Sequence, residues 1–387
     1  MTLRVLHATD AFLTRSETFV YTYVTAHRRF EATVLCHGRV NAAEFPFLRV
    51  YVAARPTTRR TPNYWIAAAI ERTTGRSPWR RLVERILAAV RPDVIHAHFG
   101  PIGCELIDIA QAARIPLVTS LYGVDAAVLP RLPQWREAYA RLFAGGALFL
   151  AEGPEMLKKV VAAGAPRART ALQPIAIRPE RYPRWAPEGD TILFVGRFVE
   201  KKGLLDAIAA FADARDRMAT ARLVIVGAGP QEAAARALVA GRQLGDVVDF
   251  AGMRSHDEVI DRLRRARVLI HPSVTAADGD SEGGAPTILL EAQAIGTPIV
   301  TTRHADIPNV VPPGPGVWLC DEHDVASLAD ALAEAFQRQQ ASSSEYVHDH
   351  HSIDRLIGQL EDRYQTLVDW DAADPSRAGA ERDYARA

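Results

Sequence analysis

Cysteine is scarce in this sequence, which has three cysteines among 387 residues, at positions 36, 104 and 320. Their odd number and wide spacing fit neither a disulfide framework nor a zinc-binding pattern. Long apolar runs are missing too. None approaches the roughly 18 to 20 residues of a membrane-spanning helix, and the first ten residues are typical of a strand and not of a signal peptide. We therefore expect a cytoplasmic protein without structural disulfides.

Lysine is also scarce, and the net charge of zero hides an uneven distribution. Only four of the 46 basic residues are lysines, at positions 158, 159, 201 and 202. Residues 1–180 carry 24 basic and 14 acidic side chains, whereas the remaining residues carry 22 and 32. The basic excess of the first part predicts that it meets something anionic.

Strand and helix patterns alternate along the chain, and the alternation begins anew after a proline-containing stretch. This rhythm builds parallel sheets through right-handed crossovers, and the length exceeds what one simple core supports. We predict two α/β domains, each with a parallel sheet. The predicted boundaries are a first domain at 1–175, a linker at 176–190, a second domain at 191–345, a returning helix at 346–370 and a disordered tail at 371–387.

The stretch 271–302 is the most informative part of the sequence and predicts a strand end, a polar loop, a helix and a further strand. A glycine-rich loop before a helix offers free backbone N–H groups and the positive end of the helix dipole, which together favour a phosphate. Glu282 and Glu291 flank this point, and carboxylates accept hydrogen bonds from sugar hydroxyls. The alternative is a capped helix with solvated acids.

Two cations bracket a loop at the end of the first strand of the second domain. Arg197 and Lys202 there suit a pyrophosphate and would stabilise the charge of a departing diphosphate without a divalent metal. Asp278-Gly279-Asp280 resembles the D-x-D motif of metal-dependent sugar transferases, which keeps a metal site as an alternative. Gly227 and Gly229 give only a weak indication of dinucleotide binding, because a third glycine is missing.

Several polar residues of the first domain follow predicted strands, where the ligand crevice of a parallel sheet lies. Ser16 and Thr18 would either cap a helix or contact a ligand. His96 and His98 share one face of a strand and could bind a metal, although no third ligand is near them in the sequence. Tyr122 and Asp125 directly follow another strand, and we expect them in the crevice.

Residues 55–91 carry nine arginines and two glutamates, with two tryptophans among them. One interpretation is a pair of amphipathic helices with a solvated basic face. Another is adhesion to an anionic membrane surface, where each basic residue contributes about 1 kcal/mol. Nucleic acid is a third option, but no recognisable binding motif accompanies the arginines, and we expect no nucleic-acid partner.

The motifs together resemble the retaining glycosyltransferases of family 4. The resemblance spans essentially the whole chain and is strongest over 192–311. It depends on Arg197 with Lys202, on the turn at Gly252, on the block from 282 to 302, and in the first domain on D-V-I-H-A-H-F-G (93–100) and Y-G-V-D (122–125). S-E-T-F (16–19), S-E-G-G-A-P (281–286) and H-A-D-I-P (304–308) are most similar to the bacterial exopolysaccharide branch, such as colanic-acid and amylovoran glycosyltransferases.

This resemblance implies the GT-B fold, in which two Rossmann-like domains face each other across a cleft and a C-terminal helix crosses back to the first domain. It implies transfer of a hexose from a UDP- or GDP-linked sugar to a hydroxyl of a glycan or lipid-linked oligosaccharide, with retention, no metal and no cofactor. Arg197, Lys202 and Glu282 would be catalytic. The donor would bind Gly196, Gly252, Met253, Gly283, Gly284, Ala285, Pro286, Thr287 and Glu291. The acceptor side of the cleft would include Ser16, Thr18, His98, Tyr122 and Asp125.

Three positions depart from the family's pattern. Glu282 and Glu291 have eight residues between them where the family usually has seven. Tyr122 stands where many relatives have a histidine, and Ala176-Ile177-Arg178 replaces a common Gly-Ile/Val-Asp at the domain junction. The departures at Tyr122 and Glu282 would support a catalytically silent nucleotide-sugar-binding homologue, which is kept as an alternative. An NDP-sugar epimerase of the same fold is the other alternative, although the acid–base residues that it needs cannot be placed in this sequence. The leading hypothesis is a transferase at the inner face of the plasma membrane.

Overall fold

The computed structural model describes residues 2–55 and 77–373, and these residues contain two parallel sheets. The strand order of the first sheet is β3-β2-β1-β4-β5-β6-β7, and that of the second is β10-β9-β8-β11-β12-β13. The strands are β1 (Leu3–Phe12), β2 (Phe30–Arg39), β3 (Val50–Val52), β4 (Val94–His98), β5 (Leu117–Leu121), β6 (Leu148–Ala151), β7 (Thr170–Leu172), β8 (Thr191–Val195), β9 (Arg222–Val226), β10 (Val248–Gly252), β11 (Val268–His271), β12 (Ile299–Thr302) and β13 (Val317–Cys320).

Helices connect these strands and cover the sheets. They are α1 (Thr18–Ala26), α2 (Pro78–Val90), α3 (Gly100–Ala112), α4 (Val124–Ala127), α5 (Pro133–Gly145), α6 (Pro154–Ala162), α7 (Leu204–Ala214), α8 (Glu232–Gly241), α9 (His256–Arg265), α10 (Thr287–Ile295), α11 (Ile307–Val310), α12 (Val325–Arg338), α13 (Glu345–His351) and α14 (Ile353–Ala373). Short 3-10 turns lie at Leu129–Arg131, Arg167–Arg169, Pro179–Arg181, Glu200–Lys202 and Arg215–Arg217.

The central strands carry mostly buried apolar residues, because helices cover both faces of a parallel sheet. Val94 and Ile95 of β4 are fully buried, as are Leu193 and Phe194 of β8. Burying one such side chain stabilises the fold by about 1.5–3 kcal/mol. The predicted architecture of two α/β domains with parallel sheets is confirmed.

In each sheet the strand order reverses beside the first strand of the domain. β1 lies between β2 and β4, and β8 lies between β9 and β11. Loops leaving neighbouring strands in opposite directions open a crevice at the carboxyl ends of the strands. Both crevices open toward the same space between the domains, where loops from both sheets line one cavity.

The C-terminal helix α14 crosses back to the first domain, as predicted. It packs against α1, and Glu361 accepts hydrogen bonds from the backbone N–H groups of Arg28 and Arg29 at 2.8 and 3.0 Å. Ile177, in the linker, bridges to Ser352 just before the helix. The predicted helix end at residue 370 is three residues short, since α14 continues to Ala373. Residues 374–387 of the predicted tail lie outside the described residues.

In the described part of the chain, no helix has the length and apolar character that crossing a bilayer requires. Of the basic region at 55–91, residues 56–76 lie outside the described residues. The remainder includes α2, whose N-terminal proline suits the first helical turn.

Candidate functional site

The cleft between the two domains encloses a cavity of about 380 Å³, a size typical of small-molecule sites. Its walls are formed by loops that follow β1, β5 and β6 of the first domain and β8 to β11 of the second. The cavity is lined by these predicted site residues: Ser16, Thr18, Tyr122, Gly196, Arg197, Lys202, Met253, Glu282, Gly283, Ala285, Pro286, Thr287 and Glu291. The fold thus brings together residues that are up to 275 positions apart in the sequence.

A buried ion pair lies on the second-domain side of the cavity. Lys202 Nζ lies 2.8 Å from Glu282 Oε1 and 2.9 Å from Oε2, and Ser273 Oγ donates to Oε1 over 3.1 Å. Burial alone would raise the pKa of Glu282, but the charges of Lys202 and Lys201 lower it to about 2. Burial also lowers the pKa of Lys202, and the single carboxylate of Glu282 does not offset this effect. Glu282, in contrast, is stabilised in its charged form by two ammonium groups.

Arg197 extends into the cleft above this pair. Its side chain is exposed, and within residues 2–55 and 77–373 it forms neither a hydrogen bond nor an ion pair shorter than 4 Å. Arg197 and Lys202 face the loop that leads into helix α10, whose first residue is Thr287. The cleft therefore presents two cations and a helix N-terminus to a common space, which is a favourable arrangement for an anion.

The glycine pair before α10 makes close contacts with the first domain. A Cβ atom on Gly283 would lie 1.9 Å from the carbonyl oxygen of Tyr122, so only glycine fits there. The backbone N–H of Gly284 donates to the carboxyl group of Glu152 at the end of β6. Burial raises the pKa of Glu152 well above its usual range. The extra residue of this loop is thus accommodated against the opposite domain.

Glu291 lines the cleft from the first turns of α10. Its Oε1 atom accepts a hydrogen bond from His256 Nε2 over 2.8 Å and lies 3.3 Å from the Tyr182 hydroxyl. Burial opposes the positive charge of His256, but the bond to the Glu291 carboxylate raises its pKa overall. The carboxylate is buried, and among the described residues its second oxygen accepts no hydrogen bond, which leaves it available to another donor.

The first-domain wall contains a carboxyl group that the sequence interpretation did not include. Glu17 lines the cavity between Ser16 and Thr18. Burial is the main reason why its pKa is raised to about 7, and Arg197 across the cleft partly opposes that rise. The motif S-E-T-F contained this residue, but its place in the cavity is evident only from the folded chain.

Four predicted residues do not line the cavity, and Gly284, described above, is one of them. Asp125 is wrongly placed by the prediction: its buried carboxylate accepts backbone N–H groups of Gly100, Tyr122 and Gly123 at 2.8–3.0 Å and fixes the turn after β5. His98 lies behind Tyr122, with its Nδ1 2.7 Å from the tyrosine hydroxyl. Gly252 supports the wall through its carbonyl, which accepts the N–H of Gly227 over 3.0 Å.

Two motifs left a metal site open as an alternative: Asp278-Gly279-Asp280, and His96 with His98. Asp280 forms an ion pair with Lys201 at 3.0 Å, and its backbone N–H bonds to Asp278; neither aspartate lines the cavity. His96 and His98 have no third ligand near them in the sequence, but the register of β1 against β4 sets His7 opposite His96 in the fold. Only the pairing of β1 with β4 reveals this neighbour.

Contacts between the domains involve further residues that the sequence did not single out. Asp306 of the second domain accepts the backbone N–H groups of Glu155 and Met156, at the start of α6, over 2.9 and 3.0 Å. Lys159 Nζ bonds to Ser281 Oγ beside the glycine loop. Two features of the sequence could have indicated these residues. Asp306 lies in the motif H-A-D-I-P, and Lys159 is one of only four lysines. These contacts hold the two walls of the cleft together.

Both domains match models of known families. Residues 16–181 match the model described as glycosyltransferase family 4, and residues 181–348 match the one described as glycosyl transferases group 1. The boundary between the two matches falls in the linker between the two sheets.

Relatives and solved structures agree with these matches. The chain is 34% identical over 282 residues to a protein of Escherichia coli K12 named for colanic acid biosynthesis, the glycosyltransferase WcaL, covering 70% of this chain and 69% of that one. It is 31% identical to the amylovoran biosynthesis glycosyltransferase AmsK of Erwinia amylovora, covering 63% and 61%. Its fold is similar to that of Anabaena HepE in complex with UDP and glucose, with a TM-score of 0.73, 15% identity and coverage of 94% and 100%.

Proposed function

This chain belongs to the glycosyltransferases that join a family 4 domain to a group 1 domain, and on that premise we propose that it transfers a hexose from a UDP- or GDP-linked sugar to a hydroxyl of a glycan or lipid-linked oligosaccharide in exopolysaccharide biosynthesis. The names of the colanic acid and amylovoran relatives support the polysaccharide part of this proposal. The observation that carries it is the meeting of Arg197, Lys202 and the α10 N-terminus in one cleft.

The diphosphate of the donor would bind between these groups. An ammonium group has three hydrogen-bond donors, and Lys202 directs donors to both oxygens of Glu282, so it can share its charge between Glu282 and a phosphate. Arg197 would contribute a planar pair of donors. Backbone N–H groups at the start of α10 would bind a phosphate oxygen.

The remaining polar groups fit the sugar and nucleoside. Glu291 would accept a hydrogen bond from the ribose, oriented by its bond to His256, and the Gly252–Met253 turn would touch the base. Lys202 and Ser273 hold Glu282 in place. Its carboxylate would accept a hydrogen bond from a hydroxyl of the donor hexose.

Transfer would retain the configuration of the anomeric carbon and need no divalent metal. The bond from the anomeric carbon to the diphosphate breaks as the acceptor oxygen approaches from the same face, and the departing phosphate oxygen takes the acceptor's proton. Arg197, Lys202 and the α10 dipole would stabilise the charge on the leaving group. This route requires no protein nucleophile.

A thermal-shift screen tests the donor class. The purified chain is heated with UDP, GDP, ADP and their common sugar conjugates, with and without Mg²⁺. A ligand that binds the folded state raises the melting temperature by mass action, so one diphosphate should do so equally with and without the metal. A shift that requires Mg²⁺ would contradict metal independence, and no shift with any nucleotide would contradict both the transferase and the silent nucleotide-sugar-binding homologue.

The product of turnover separates transfer from epimerisation. With the donor identified, the anomeric proton of the first product is followed by NMR. We expect acceptor-dependent transfer with the donor's anomeric configuration. A changed sugar without any acceptor would indicate the epimerase instead.

Arg197→Ala should lower turnover by about 10²–10³-fold, the range for one lost preorganised donor, while the fold stays intact. The matched control is Arg217→Ala, which removes an exposed arginine that pairs with Asp330 away from the cleft. Equal turnover of the two variants would show that the diphosphate binds elsewhere.

Adhesion to an anionic membrane surface is a separate part of the proposal. The described end of the basic region, helix α2, exposes Arg81, Arg85 and 38% of Leu82. Flotation with anionic and with neutral vesicles should show a preference for the anionic ones, and Arg81→Glu with Arg85→Glu should abolish it. Equal flotation would remove the membrane claim without affecting the transferase claim.

A further inference from the structure

Glu152 is a buried acidic residue of the first domain that bonds to the second domain. It directly follows β6 and is 7% exposed. Its Oε2 atom accepts the backbone N–H of Gly284, 132 positions away. The glycine pair lies tightly against this side chain: a Cβ atom on Gly283 would lie 2.7 Å from Glu152 Oε2, and one on Gly284 would lie 2.6 Å from the Glu152 Cβ. The carboxyl group is therefore part of the contact between the domains.

This contact changes what the glycine loop can offer a ligand. The resemblance to family 4 implies that the backbone of Gly284 contacts the donor, and this chain has one residue more than the family pattern between Glu282 and Glu291. Gly284 does not line the cavity, and its N–H is bonded to Glu152. Glu152 itself lines the cavity. At this point of the wall, a bound ligand thus meets Glu152 and not the Gly284 N–H.

The second carboxyl oxygen of Glu152 is available to such a ligand. Within residues 2–55 and 77–373, Oε1 forms no hydrogen bond. It also keeps some contact with solvent, unlike the sealed and unpartnered hydroxyl oxygens of Thr9 and Thr119. Polar atoms in the wall of a mostly apolar cavity are the groups that fix the orientation of a ligand. Oε1 is therefore the atom through which Glu152 can contact one.

The surroundings of Glu152 keep its carboxyl group neutral. In the described part of the chain, no nitrogen of a lysine, arginine or histidine side chain lies within 4 Å of it. Burial raises its pKa well above the usual range; the Gly284 N–H lowers the pKa, and the carboxylates of Asp125, Glu282 and Asp306 raise it again. A neutral carboxyl has one carbonyl oxygen and one O–H group. Because Oε2 accepts the Gly284 N–H, the hydrogen is on Oε1.

We propose that Glu152 is a specificity-determining residue for the donor sugar, oriented by Gly284 through Oε2 and donating a hydrogen bond from the Oε1 hydroxyl to an oxygen atom of the hexose. Glu282, which directly precedes the glycine pair, has the opposite role, because an ionised carboxylate only accepts. The two carboxyl groups together select a hexose that donates to one and accepts from the other. This inference rests on the proposed function, which puts the hexose beside Glu282.

A purely structural role, in which Glu152 only joins the two domains, is the competing explanation. Its removal would then weaken the contact between the domains and affect the free nucleotide and the nucleotide sugar alike. A contact with the hexose predicts a loss confined to the sugar part of the ligand. The ratio of the Kd of the free diphosphate to that of its sugar conjugate separates the two explanations.

Isothermal titration of the full chain measures this ratio with UDP, UDP-glucose and UDP-galactose, and with GDP and GDP-mannose. Glu152→Leu should lower the ratio about tenfold, because a buried hydrogen-bond partner is left unpaired, and should leave the Kd of the free diphosphate unchanged. Glu152→Gln keeps an acceptor for Gly284 and a donor for the sugar, so it should retain the ratio. The matched control is Glu155→Leu, which removes a partly exposed carboxylate paired with Lys158 on α6 and should not change the ratio.

Infrared difference spectra of wild type and Glu152→Gln at pH 7 test the neutral carboxyl without any ligand. We expect the C=O band of a protonated carboxyl in wild type alone, and its absence would overturn the proposal. A ratio in Glu152→Gln as low as that expected for Glu152→Leu would overturn it too, and this comparison remains valid if Glu152→Leu fails to fold.

The failure of this inference differs from the failure of the proposed function. If wild type binds a sugar conjugate more tightly than the free diphosphate and Glu152→Leu keeps the same ratio, only the role of Glu152 is refuted. If wild type binds none of the five ligands, the proposed function and this inference are refuted together.

Discussion

Replacing Lys202 with methionine leaves the carboxylate of Glu282 buried without its main partner. Both side chains are largely enclosed, with 13% of Lys202 and 8% of Glu282 exposed. Removing one member of a buried pair usually costs about 3–5 kcal/mol, because the other charge stays behind. The lowering of the Glu282 pKa from 4.5 to about 2 corresponds to about 3 kcal/mol. We therefore expect Lys202→Met to lose about 3 kcal/mol of unfolding free energy at pH 7.

The dependence on pH gives the same prediction a second check. Because the folded pKa of Glu282 is depressed, its stabilisation is complete above pH 4.5 and is lost as the pH falls toward 2. The difference between wild type and Lys202→Met should thus shrink on acidification. Adding Glu282→Gln should recover part of the loss at pH 7, since the unpaired charge is then removed.

The assay is urea unfolding, compared through the midpoints of the variants. The matched control is Lys158→Met, which breaks an exposed pair with Glu155 on α6 and should leave the midpoint unchanged. A Lys202→Met midpoint equal to that of the control, or a loss that does not change with pH, would refute the reasoning.

Three further predictions concern other parts of the molecule. Burial raises the pKa of Glu17 to about 7, so its ionisation destabilises the fold as the pH rises from 4.5 to 7; Glu17→Gln should be more stable than wild type by about 1–2 kcal/mol at pH 8 and similar at pH 4, measured by urea unfolding. Gly203→Ala sets a Cβ 1.8 Å from a carbonyl oxygen at a φ of +66° and should lower the melting temperature strongly, whereas Gly241→Ala, with no atom within 4 Å, should change stability by less than about 1 kcal/mol. Asp306→Ala removes the cap of α6; it should cost about 1–2 kcal/mol and enlarge the radius of gyration in X-ray scattering, and an unchanged radius would show that this contact does not hold the domains together.

The sequence by itself determined the architecture and most of the cleft. Apolar runs of four or five residues alternate with helical patterns, and this alternation predicts parallel strands. Each pattern is local, so it can be recognised without knowing the tertiary structure. The rule that loops at the carboxyl ends of such strands line the crevice then brought Arg197, Lys202 and Tyr122 into one expected site. The glycine loop and helix N-terminus at 283–287 were readable for the same reason.

Only the tertiary structure decided which side chains meet within that cleft. Asp125 follows a strand as Tyr122 does, yet its carboxylate turns inward to satisfy three backbone N–H groups. The contact of His7 with His98 requires β1 beside β4, and the contact of His27 with Glu361, 334 positions away, requires α14 to cross the first domain. The contact of Glu152 with Gly284 requires the approach of two domains. Strand order, domain approach and the exclusion of water are properties of the whole packed chain, and no local pattern of residues encodes them.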